Sequence, residues 1–189
     1  MNKQKVLKSL GEESSTVYSA VLLIRNLYLL YMGAMVLAMI AGIAFSSKFA
    51  AVLQAGNDTS FLSSLLHSMT FEHPLKSDGS FNLLIYLAGC VIHIAASAVY
   101  AFIFHTILQV FKEMKEGLTP FTLKNAYYWK QLYKIFAVLA VISFLASFIF
   151  NFAALTFMLS SLVYACFFLS MSLVFEYGSQ LQQESDETL

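Results

Sequence analysis

Charge is what this sequence has least of. Asp, Glu, Lys and Arg make up 12% of its 189 residues, about half the share found in a water-facing domain. A soluble globule needs charge to solvate its outside, so that class is excluded. Lys plus Arg and Asp plus Glu both number 11, which leaves no basic surface for direct binding of nucleic acid. Two cysteines and two prolines exclude a disulfide scaffold and a Pro-rich linker. There is no phosphate-cradling glycine loop, no HExxH pair and no Ser/His/Asp set in evident register. No catalytic residue, cofactor or metal is therefore assigned. What remains in quantity is apolar, at 59% of the chain. This is the composition of an integral membrane protein.

The uncharged runs locate the spans. Asn26–Ser47 holds 22 residues without a formal charge, Gly79–Phe111 holds 33, and Ile135–Phe175 holds 41. A spanning helix needs roughly 20 apolar residues. The first two runs supply one span each, and the third is long enough for two with a turn near Asn151. The expected spans are about 22–45, 81–108, 134–152 and 155–176. The first apolar region is longer than the core of a secretory signal, so it reads as an anchor. Lysine and arginine set the orientation. Lys3, Lys5 and Lys8 precede span one and Arg25 lies at its inner end, and the segment between spans two and three holds Lys112, Lys115, Lys124, Lys130 and Lys134. Only Lys48 and Lys76 fall in the other loop. The expectation is an all-α membrane domain over 1–189, a four-helix bundle with both termini cytoplasmic.

Three segments lie between or beyond the spans. In the outer loop, 46–80, Asn57-Asp58-Thr59-Ser60 offers a cap. Phe61, Leu62, Leu65, Leu66 and Met69 then recur at helical spacing, so a short amphipathic helix is expected there. In the inner loop, 109–133, the second helix should end at Gly117, and Thr119 before Pro120 reads as the cap and first residue of the next. Tyr127, Tyr128, Trp129 and Tyr133 among lysines suit an interfacial belt, or alternatively a docking surface. The tail, 177–189, is acidic and reads as a frayed, solvated end.

Within the spans, polar groups are few. His93 falls near the middle of span two, where an ionisable group is costly. It shares a small, polar face with Gly89, Ala96, Ser97 and Tyr100. The expected role is a neutral His bonded to a Ser or backbone carbonyl of a neighbouring helix; a proton or metal role is the alternative. Cys90 and Cys166 read as packing residues. Arg25 and Glu176 edge the apolar region from the same side, which suggests an ion pair, against the reading that Arg25 snorkels to headgroups. Small residues give close-packing stripes on the other spans: Ala34, Ala38, Ala41 and Gly42; Ala140, Ser143 and Ser147; Ser161, Ala165 and Ser172.

Two stretches carry a resemblance. Glu116-Gly117-Leu118-Thr119-Pro120-Phe121 with Asn125, and the ending Phe175-Glu176-Tyr177-Gly178 … Leu181-Gln182-Gln183-Glu184-Ser185-Asp186-Glu187-Thr188-Leu189, resemble the motifs of domain-of-unknown-function family 2975. That family comprises small four-span proteins of bacterial inner membranes. The resemblance implies a multi-pass inner-membrane location. It also implies a motif and partner surface at Gly117, Pro120, Phe121, Asn125, Tyr177, Gly178, Glu184, Asp186 and Glu187. Members are often encoded beside a small helix-turn-helix regulator, which implies a cytoplasmic transcription regulator as partner. The expected function is a non-enzymatic regulatory membrane protein that engages this partner through inner loop and tail. The alternative is a small transporter, channel or immunity-type protein with His93 and its polar face lining a path. The bilayer and a second copy of the chain are further expected partners.

Overall fold

The computed structural model describes residues 3–54, 75–116, 118–150 and 152–187. Its helices are α1 (Lys3–Ala44), α2 (Ser46–Gln54), α3 (Leu83–Lys115), α4 (Leu123–Phe150) and α5 (Phe152–Glu187). Among the described residues there is no strand, only an isolated bridge between Leu75 and Phe81. Among the described residues four stretches are long and apolar enough to cross a membrane: Ser9–Ala44, Leu83–Lys115, Leu123–Phe148 and Thr156–Glu187. Leu30, Leu37, Phe148 and Val163 stand exposed on them. On a soluble protein such apolar surface would invite association; on a multi-pass membrane protein it is the face that lipid covers.

The helices overrun the bilayer. At 1.5 Å per residue, the 42 residues of α1, 33 of α3 and 36 of α5 reach about 63, 50 and 54 Å. A hydrocarbon core is about 30 Å thick. Each therefore carries several turns of helix that lipid does not require. The expected tail of frayed chain is accordingly corrected, because α5 stays helical to Glu187.

By internal contact the chain forms two compact units, Met1–Leu22 with Ile103–Leu189, and Leu23–Phe102. In the first, α4 and α5 pack as an antiparallel hairpin. Ser172 bonds the Ala126 carbonyl, Trp129 stacks on Phe168, and Phe136 meets Tyr164. Leu132, Ala140, Ala165 and Phe168 are buried along this seam. The same unit gathers charged helix ends, with the Lys115 ammonium 4.9 Å from the Tyr18 ring centroid.

In the second unit, α1 and α3 run antiparallel. Tyr86 lies over Gly42, where an added Cβ would overlap its ring, and its hydroxyl donates to the Ala38 carbonyl at 2.9 Å. Of the expected stripe Ala34, Ala38, Ala41 and Gly42, Ala38 and Gly42 meet Tyr86, a small residue admitting an aromatic ring, whereas Ala34 is exposed. Phe49 of α2 closes the end of this seam against Phe81 and Tyr86. Ahead of α3 the chain makes a tight hairpin. Gly79 N–H donates to the Lys76 carbonyl, and Gly79 takes φ 81°, a conformation that favours glycine. Asp78 accepts from the Ser80 hydroxyl at 2.6 Å and its N–H at 2.9 Å. These two bonds hold the Asp78 carboxyl below the usual carboxylate range. The amphipathic helix expected at Phe61–Met69, the turn at Asn151, and Gly117 lie outside the described residues.

Candidate functional site: the loop and tail platform

The junction of α3 and α4 is built from backbone demands upward. Lys112 and Lys115 occupy the last turn of α3, where positive charge meets the unpaired helix carbonyls favourably. The Glu116 and Leu118 N–H groups both donate to the Glu113 carbonyl at 3.2 Å, turning the chain. The Glu113 carboxylate then reaches across the turn. It accepts from Lys124 Nζ at 2.6 Å and from the Thr122 hydroxyl at 3.4 Å.

The expected start of α4 at Thr119-Pro120 is corrected. Thr122 is the cap, its hydroxyl oxygen accepting the Asn125 N–H at 3.1 Å and its carbonyl the Ala126 N–H at 3.0 Å. The reason lies in the bonds that the loop makes around Pro120. The Thr119 hydroxyl donates to Gln182 Oε1 at 2.8 Å and accepts the Phe121 N–H at 3.3 Å. The Pro120 carbonyl, which a helix begun at Pro120 would offer to the Lys124 N–H, instead accepts the Thr122 N–H at 3.0 Å. Asn125 is fully buried, and its Nδ2 donates to the Pro120 carbonyl at 3.0 Å, fixing the loop from below.

Loop and tail meet at Gly178. The Phe121 ring lies against this glycine so closely that a Cβ there would overlap it. It also tilts against Phe175 at 5.5 Å between centroids. Phe175 in turn meets Trp129 edge-on at 5.7 Å. The motif residues Pro120, Phe121, Asn125 and Gly178 are thus brought together. They form a joint inside the chain rather than a free surface. Asn125 Oδ1 and Trp129 Nε1 carry no hydrogen bond within it. What faces outward is the rest of the tail: Tyr177, Leu181, Glu184, Asp186 and Glu187 are exposed, and the last turn of α5 holds no basic residue.

The intramembrane candidates occupy the second unit. His93 Nδ1 lies 3.3 Å from the Tyr31 hydroxyl of α1, so its partner is a tyrosine and not the Ser or carbonyl expected. Ser97 donates back to the His93 carbonyl of its own helix at 2.7 Å, and Tyr100 stacks on Tyr28 at 5.2 Å. Tyr28 and Tyr31 were not legible as site residues, because both sit in an unbroken apolar run. Arg25 bonds Asn26 Oδ1 at 2.9 Å. Arg25 and Glu176 belong to different units, and their pairing stays a proposal. Among the described residues no three His, Cys, Asp or Glu side chains gather to hold a metal. Comparison with protein-family models, curated proteins and solved structures gives no match.

Proposed function

We propose that this chain is a regulatory, non-enzymatic protein of a bacterial inner membrane, of the kind grouped in domain-of-unknown-function family 2975. Both termini are cytoplasmic, and the loop and tail hold a cytoplasmic partner. The observation that carries this reading is the joint of Phe121 with Gly178 and of Thr119 with Gln182. It ties the last turns of α5 to the loop and presents Glu184, Asp186 and Glu187 on an ordered helix. Such an acidic end suits a basic surface, and a helix-turn-helix regulator carries one on its DNA-binding face. Nine of the eleven positive charges flank the same expected side, which supports the cytoplasmic placement.

The test is capture of a purified small helix-turn-helix regulator, of the kind the resemblance implies as partner, by the detergent-solubilised full-length protein. Glu184→Gln with Asp186→Gln and Glu187→Gln should abolish capture while melting is unchanged, and capture by the parent should weaken with salt. Equal capture by the triple variant would overturn the reading. The alternative of a transporter or channel draws on the Tyr31–His93 pair, which in this structure joins two helices.

A further inference from the structure

The Tyr31–His93 pair is placed where lipid should not be its neighbour. Tyr31 lies six residues, about 9 Å along the helix, inside Arg25 in the uncharged run Asn26–Ser47, and His93 near the middle of Gly79–Phe111. Polar side chains at that depth face protein or water, because hydrocarbon offers them no hydrogen bond. Yet Tyr31 is 39% exposed, and His93 is half-buried. Their surroundings on the same flank are open as well. Leu27 and Ala34 of α1 and Ile92 and Ala96 of α3 are exposed. Leu27 and Ala34 lie one turn from Tyr31 and Ala96 one turn from His93, with Ile92 beside it, and the alanines let another helix approach closely.

The pair is also incompletely bonded, in a manner that indicates its partner. With the imidazole proton on Nε2, the Tyr31 hydroxyl donates to Nδ1. Each molecule then keeps one unused donor, His93 Nε2–H, and one unused acceptor, the Tyr31 oxygen. A surface with one donor and one acceptor side by side is complementary to itself about a two-fold axis. We infer that the α1–α3 flank carrying Tyr31 and His93 is the interface of a homodimer within the membrane, with His93 Nε2–H of each copy donating to the Tyr31 oxygen of the other. The dimer leaves no hydrogen-bonding group of the pair facing lipid. It places two copies side by side in the bilayer, so that each assembly carries two loop and tail platforms.

The experiment uses the full chain in liposomes, with two differently tagged copies mixed before reconstitution. In a chain with Cys90→Ala and Cys166→Ala, Ala34→Cys should cross-link the two tags on oxidation. Val36→Cys, about 200° around α1 and on the opposite flank, should not. Self-association measured by energy transfer between labelled copies should weaken about tenfold in Tyr31→Phe, roughly threefold for each of two symmetric bonds. Tyr31→Phe keeps the ring and its packing, so a normal melting curve would show that folding is intact. Three results would each overturn the inference. They are a protein monomeric at every protein-to-lipid ratio, no Ala34→Cys cross-link between the two tags, and association unchanged by Tyr31→Phe.

Discussion

Replacing Gly178 by alanine separates two opposing effects of one methyl group. In an isolated helix the change is favourable, since glycine costs about 0.8–1 kcal/mol relative to alanine. At Gly178 the added Cβ would overlap the Phe121 ring. That ring cannot simply swing away, because Phe175 lies behind it and the Phe121 N–H is bound to Thr119. Overpacking of this kind costs about 1–3 kcal/mol. The net expectation is a loss of up to about 2 kcal/mol in the parent. With Phe121→Ala already present, the clash disappears and only the helical preference remains. There Gly178→Ala should stabilise by about 0.5–1 kcal/mol. The sign of the effect therefore inverts between backgrounds, a coupling of about 1–3 kcal/mol for residues in contact. Reversible unfolding in detergent, followed by Trp129 fluorescence and by helical circular dichroism, measures both. Equal stabilisation by Gly178→Ala in the two backgrounds would mean that loop and tail do not meet.

Two other perturbations probe the second unit. The carboxyl of Asp78 is held low by Ser80, so the hairpin should keep its full stability above the ordinary carboxylate range. It should lose that contribution as pH falls through the depressed folded value; exchange protection of the Ser80 N–H against pH reads this, and Asp78→Asn should remove the dependence. Tyr86→Phe removes the bond to the Ala38 carbonyl and keeps the ring over Gly42. It should cost about 0.6 kcal/mol, the mean for interhelical bonds in lipid, in the same unfolding assay.

The sequence revealed the spans because lipid penalises charge, and runs free of it can be counted. It did not reveal how far α1 and α5 continue, since Lys3–Thr16 and Glu176–Glu187 are polar on most sides and carry no hydropathy signal. The caps show the same limit. Thr119-Pro120 and Thr122 are both acceptable helix starts locally, and the start falls at Thr122 because the Pro120 carbonyl is taken by the Thr122 N–H and the Asn125 side chain. The joint was half legible. Phe121 and Gly178 were picked out by pattern, but nothing in either segment shows that one ring requires the other residue to lack a side chain. Tyr31 was hidden for a different reason. Its hydroxyl matters only because α3 runs antiparallel to α1 and brings His93 opposite it.

The central claim, an ordered platform of loop and tail on the cytoplasmic side, depends on which side of the membrane α5 ends. Single cysteines at Ser185 and at Ser77 of the outer hairpin, in a chain with Cys90→Ala and Cys166→Ala, can be labelled with an impermeant maleimide in intact spheroplasts and in inverted vesicles. Ser185→Cys should react only in inverted vesicles, and Ser77→Cys only in spheroplasts. Reaction of Ser185→Cys in intact spheroplasts would place the platform outside the cell and contradict the proposed function.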